Sequence, residues 1–317
     1  MLSFFKKNSF FNSILLLVYT ILLQMIPLIM GSSKAFLGDF TGSVFLSALI
    51  HIFIIYIQAV FINRLVIENR LHRDIMLFPG VFFILYSSLL PEFWSPSHIH
   101  LANFFIIWSL FELFQIYKTN NPAVHVFNCS FLIGIASIIC PPMIWYLLLV
   151  LLGISNLKKL EIIHPLQISI GGIVPWFLWS TYLYWKKEES SIWPSIKSHI
   201  GFNFSQSYTM QGALYRYGLY ILIIILIFLL YNEFRRKKHI QAQKKIDILY
   251  IALVISVITI LFHQPAGTGN LLMSAPMIGI FIGLLFSHFK NSNVPEVIHL
   301  FLFMGVLILQ VFYYFIS

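Results

Sequence analysis

The chain has 317 residues, 59% of them hydrophobic and 10% charged, with a formal net charge of +9 and a mean hydropathy of +0.86. A typical soluble domain is about a quarter charged, so there is too little polar surface here to cover a core in water, and an ordinary soluble enzyme is excluded. The basic residues sit in short loops between apolar runs rather than in a basic, aromatic-interleaved module, which sets nucleic acid aside and leaves the lipid bilayer as partner.

The apolar runs are continuous, as in 13–30 and 219–231. Barrel strands would alternate apolar and polar residues, so each crossing is expected to be a helix. The first run lacks a small-residue cleavage site and reads as a first span. A helix needs about 20 residues to cross the hydrocarbon. On that basis spans are predicted near 13–30, 43–62, 75–91, 101–117, 125–140, 142–156, 165–185, 217–232, 248–263, 271–288 and 298–316. The fold class is an all-α polytopic transmembrane helix bundle of about eleven spans, forming one integral membrane domain over residues 1–317. The fifth and sixth spans meet at Pro141-Pro142. Proline lacks an N–H and restricts the residue before it, so the pair marks either a hairpin of two spans or one broken span.

Charge orients the spans. With the N-terminus cytoplasmic, the inner loops hold fifteen of the twenty Lys and Arg residues, including Lys118, Lys158, Lys159, Lys244 and Lys245. The outer loops hold five: Lys34, Lys186, Lys187, Lys197 and Arg216. This asymmetry follows the positive-inside rule and places the C-terminus outside. The long outer segment 186–216 carries Ile192, Trp193, Ile196 and Ile200 on one helical face, which predicts a short amphipathic helix near 192–200 on the outer surface.

Ionisable groups within spans are costly and tend to be functional or paired. Glu112 is the clearest, in the inner part of its span and near Lys118. It reads as a proton or cation site, or as a carboxylate paired with the basic loops. His51 and Gln58 share one face of the second span and are expected to join an interhelical hydrogen-bond network. The outer loops supply a second polar set. Asp39 lies in the first, Glu92, His98 and His100 in the second, Lys197 and Arg216 in the long segment, and His263 and Asn270 in the loop before the tenth span. Carboxylates, imidazoles and cations on one side of the membrane suit binding of a phosphate or sugar, with a carboxylate as general base. Asp39 equally suits a helix cap. Cys129 and Cys140 fit neither a disulfide framework nor a metal site, and no cofactor is indicated.

The run from Phe127 through Cys129, Cys140, Pro141 and Pro142 to Gly153, with Ser95–Phe104 before it, resembles a family of bacterial inner-membrane proteins known only as a domain of unknown function. The same small-residue helix, break and apolar helix also resemble the middle of GT-C superfold glycosyltransferases. The run Asn270-Leu-Leu-Met-Ser-Ala-Pro276 is similar to their late motif. The resemblance implies an enzyme that takes sugars from polyprenyl-phosphate carriers at the outer face of the bacterial inner membrane. Asp39 would then be the base, with Arg216, Lys197 or His263 holding the carrier phosphate. Two departures stand out. The first outer loop is short, with one acid, and Asn270 stands where that motif carries a basic residue. The alternative class is a non-catalytic transporter or a scaffold subunit of a cell-envelope assembly, for which Glu112, His51 and Gln58 are the pointers.

Overall fold

The computed structural model of the chain describes residues 2–6, 9–29, 44–119, 121–187, 210–236, 238–264, 267–289 and 293–316. Asp39, Lys197 and the expected surface helix at 192–200 lie outside these residues. Every regular element among them is helical: α1 (Phe10–Ile29), α2 (Val44–Glu68), α3 (Phe78–Ser87), α4 (His98–Gln115), α5 (Ala123–Ile139), α6 (Leu147–Leu157), α7 (Ile163–Trp185), α8 (Met210–Leu229), α9 (Tyr231–Arg235), α10 (Ile240–Phe262), α11 (Ala275–Ser287) and α12 (Asn293–Ile316). Short 3-10 turns cover Leu2–Lys6, Pro91–Phe93, Pro141–Tyr146 and Thr268–Ser274. Among the described residues, five segments are long and apolar enough to cross a membrane: Phe10–Pro27, Leu46–Glu68, Ile240–Phe262, Thr268–Ser287 and Asn293–Tyr313.

The distribution of polarity is that of a chain dissolved in lipid. Helix α12 buries His299 and Gln310 completely while Phe301 and Ile308 are 71% and 66% exposed. Helix α7 likewise exposes Ile163, Leu166, Ile170, Ile173 and Phe177. Polar-in and apolar-out is costly in water and favourable in hydrocarbon.

The chain forms two compact units. The first comprises Met1–His100, Ile223–Arg236 and Ala275–Ser317, and the second Leu101–Leu222 and Lys237–Ser274. In the first, α3 is buried at every position. At ten residues it is about 15 Å long, half the hydrocarbon thickness, so the span expected at 75–91 is a short helix with irregular flanks. Such backbone survives at membrane depth only when protein satisfies it. Here Asn63 Oδ1 accepts from the Gly80 N–H at 2.7 Å. At the other end the Ser88 carbonyl accepts from Trp94 Nε1 at 3.0 Å and Gln310 Nε2 at 3.1 Å. The Ser88 hydroxyl accepts from Gln24 at 3.0 Å. Buried amides and an indole thus do the capping that water does for a surface helix.

Directions follow from paired contacts. The Leu77 N–H donates to Phe5 O at the start of α3 and Gln24 meets Ser88 at its end, so α3 runs parallel to α1. Tyr19 meets His299 and Leu23 meets Gln310, so α12 is parallel to α1 as well. Helix α11 opposes them, with Gly279 against Phe83 and Gly283 against Pro79.

In the second unit, Gly171 packs on Phe127 and Ser130, Gly172 on Gly134, and Trp176 donates to Ser137 at 2.7 Å. Helices α5 and α7 are therefore parallel and in close contact through small residues. Leu147 touches Gly172, which also touches Gly134. In one straight helix, thirteen residues would separate Gly134 and Leu147 by about 20 Å. The chain therefore reverses at Pro141-Pro142. Lys158, just past the end of α6, donates to the Thr119 carbonyl that precedes α5, which closes the hairpin at its other end. Helix α6 in turn opposes α10, with Leu157 beside Lys244 and Tyr146 beside Ser256.

Several helix boundaries differ from the sequence reading, and two have a clear physical reason. Helix α10 begins at Ile240 rather than near 248, because Ala242, Gln243 and the lysines are good helix formers and Lys245 rests on the Phe114 ring at 5.4 Å. Helix α2 continues to Glu68 rather than ending near 62, held by an i,i+4 Arg64–Glu68 pair at 2.6 Å.

Candidate functional site

The sequence-derived residues fall into two groups, one in each unit. His51, Gln58, Glu92, His98 and His100 belong to the first, and Glu112, Arg216, His263 and Asn270 to the second.

The second unit assembles the richer group. Helix α10 ends at Phe262, where His263 leaves helical geometry with its N–H on Ile260 O. The small residues Gly267-Thr-Gly-Asn270 then form a tight turn, with the Asn270 N–H on Gly267 O at 3.0 Å. The Thr268–Ser274 3-10 helix follows, and Asn103 Nδ2 of α4 holds it by donating to Leu272 O at 2.8 Å. Arg216 of α8 reaches this turn, its Nη1 donating to Thr268 Oγ1 at 3.4 Å. The guanidinium also sits 6.0 Å from the Tyr215 ring.

One turn beyond Arg216, Tyr220 faces Ser256 and Ser274. Tyr146, at the Pro141–Tyr146 turn, faces Ser256 as well. The two serines already donate to carbonyls of their own helical turns, Ser256 to Leu253 O at 2.6 Å and Ser274 to Leu271 O at 2.8 Å. Their lone pairs are what remain for the phenols, and neither phenol closes a full hydrogen bond. The result is a buried set of four hydroxyls; Arg216, one turn before Tyr220 on α8, reaches Thr268, six residues before Ser274. Hydroxyl donors with a planar cation are the chemistry that binds a phosphoryl or carboxylate oxygen. Cys140 and His263 bring a thiol and an imidazole nitrogen within 4.8 Å of each other.

In the first unit, Gln58 Nε2 donates to the His100 carbonyl. The His51 and His100 rings meet edge to face with centroids 4.7 Å apart, and His100 Nε2 lies 3.4 Å from Phe93 O. All three side chains are buried. This is an interhelical polar network that also ties the start of α4 to α2. Glu92 and His98 are half-buried beside it in sequence. In the second unit Glu112 pairs with His125 of α5 at 2.7 Å, both side chains about a quarter exposed. The carboxylate therefore has a partner that the sequence reading, with its attention on Lys118, did not name.

No family model matches the chain, and no curated protein or solved structure does either.

Sequence reasoning missed Tyr146, Tyr220, Ser256, Thr268 and Ser274. Each is a common residue in an apolar run, and four of the five come from different elements. Only Thr268, inside the small-residue loop, carried a local signal.

Proposed function

We propose that this is a multi-pass protein of the bacterial inner membrane that transfers a sugar from a polyprenyl-phosphate carrier at the outer face. The N-terminus is cytoplasmic and about eleven crossings leave the C-terminus outside. Helix directions support that count. The first, third and eleventh crossings are parallel and opposed to the tenth, and the fifth and seventh are parallel. The short α3 with its irregular flanks serves as the third crossing.

The observation that carries the reading is Arg216 drawn against Thr268, one helical turn along α8 from Tyr220 of the buried hydroxyl set. A cation beside buried hydroxyls suits a carrier phosphate, and Lys197 and Asp39 would act with it as second cation and base. A groove of about 600 Å³ between α1 and α2, lined by Leu17, Ile21, Met25, Leu49 and Phe53, is apolar enough for a prenyl or acyl chain.

The test uses protein reconstituted in vesicles with a polyprenyl-phosphate sugar as donor. Arg216→Gln should reduce turnover by roughly 10- to 100-fold, the effect of a lost charge-assisted hydrogen bond, and Arg216→Lys should recover part of it. Asp39→Asn should abolish transfer. Unchanged turnover in both Arg216→Gln and Asp39→Asn would overturn the reading. A non-catalytic scaffold or transporter is the second reading, favoured by the His51–Gln58–His100 network. It predicts loss of assembly or transport in Gln58→Leu with no transferase activity in the wild type.

A further inference from the structure

Three chain ends of the second unit converge on one cluster of lysines that the proposed reaction does not use. Lys118 follows the end of α4, Lys158 follows the end of α6, and Lys244 and Lys245 lie in the first turns of α10. Their contacts bind the ends together. Lys158 donates to Thr119 O, Lys244 Nζ lies 3.5 Å from Leu157 O, and Asn156 Nδ2 lies 3.5 Å from Lys244 O. Lys244 Nζ stands 5.9 Å over the Tyr117 ring, and the buried Lys245 stands 5.4 Å over Phe114. Lys118 repels Lys245 across the cluster.

Lys118, Lys158 and Lys244 outnumber the acids of these elements once the Glu112–His125 pair is set aside. Glu112 is engaged by His125, and the other acids of these elements are Asp247 on α10 and the exposed Glu161. Backbone carbonyls account for Lys158, at Thr119, and for Lys244, at the C-terminus of α6. They do not offset the surplus of positive charge that Lys118, Lys158 and Lys244 place at this end, and an anion would.

A second, independent observation says what kind of anion. Immediately after Lys158 and Lys159, the chain exposes Leu160, Ile162 and Ile163, with Ile162 at 88%. Isoleucines this open beside lysines belong at the boundary of acyl chains and headgroups, where a lysine reaches the polar layer and its apolar neighbours stay in hydrocarbon. We infer that this end of the second unit is a binding site for an anionic phospholipid, its phosphate among Lys118, Lys158 and Lys244 and its acyl chains along Leu160, Ile162 and Ile163. With the orientation proposed above, the leaflet is the cytoplasmic one. The site uses none of the residues assigned to sugar transfer, so the two proposals fail separately.

The experiment is native mass spectrometry of the full chain released from nanodiscs containing equal phosphatidylglycerol and phosphatidylcholine. The wild type should retain phosphatidylglycerol in preference. Each lysine near an anionic surface contributes about fivefold, so Lys118→Gln with Lys244→Gln should lower the preference about 25-fold, and the double Arg variant should keep it. If the double Gln variant does not fold, the exposed Lys118→Gln alone should give about a fivefold loss. Millimolar inorganic phosphate should not displace the lipid. Equal retention of the two lipids, an unaltered preference in the folded Gln variants, or phosphate binding without lipid preference would each overturn the inference.

Discussion

Gly283→Ala probes a backbone-to-backbone contact between α11 and α3 in the first unit. A Cβ added at Gly283 would stand 2.5 Å from Pro79 N and 2.6 Å from Pro79 Cα, and one at Gly279 would stand 2.7 Å from Phe83 Cβ and 2.8 Å from Phe83 Cα. Carbon atoms pack at about 3.5–4.0 Å, so α11 and α3 would have to separate by roughly 1 Å. No rotamer change relieves this, because the atoms at Pro79 are backbone. Overpacking of this kind costs about 1–3 kcal/mol, and the better helix propensity of alanine returns up to about 1 kcal/mol. The net is about 1–2 kcal/mol of destabilisation for either substitution. Gly279 and Gly283 are one turn apart on the same face, so a single opening of the pair relieves both clashes. The double variant should therefore cost less than the sum of the singles. Thermal unfolding of the purified protein in mild detergent measures this, with Gly305→Ala as control. Among the described residues, no atom outside its own stretch of helix backbone lies within 4 Å of a Cβ built at Gly305, so that substitution should raise Tm. A wild-type Tm in Gly283→Ala, or strictly additive losses in the double variant, would refute the close-contact argument.

Glu112→Gln should lower stability by no more than about 1 kcal/mol, since the Glu112–His125 pair is partly exposed, and should leave sugar transfer intact. Abolished activity would instead make the carboxylate a working proton site. Burial lowers the Lys238 ammonium from its ordinary 10.5 to about 8. The unfolded chain then binds more protons between about pH 8 and 10.5, so this residue's contribution to stability rises with pH across that window and is lowest below it. Lys238→Gln should flatten the rise in Tm measured from pH 7 to 10. Cys129 and Cys140 are reduced and buried, and Cys129 donates to Ser109 O at 3.2 Å. A maleimide should label neither in the folded protein and both after denaturation; rapid labelling of the native state would contradict the packing of α5.

Composition and hydropathy carried the solvent, the helical class and most of the helices, because lipid exposure and helix formation are decided within a window of about 20 residues. The Pro141-Pro142 break was legible for the same local reason, although its sense as a reversal rests on Gly134 and Leu147 meeting Gly172. Span ends were less legible. The expected loop at Lys244 and Lys245 is helix, since a lysine can lie along an aromatic ring and still direct its charge toward an interface. The short α3 looked like a full crossing because its flanks are as apolar as the helix itself. Only the amides of Asn63, Gln24 and Gln310, which reach it from other helices, show how its ends are satisfied. The candidate site divides in the same way. Arg216, His263 and Asn270 could be picked out one by one as polar residues near apolar runs, while their hydroxyl companions could not. Tyr146, Tyr220, Ser256 and Ser274 are ordinary residues until four separate segments bring their oxygens together. The linear chain thus determined which stretches are helical and apolar enough for lipid. Tertiary packing decided which polar groups find one another there, because contacts between residues 52 or 110 positions apart leave no trace in local periodicity.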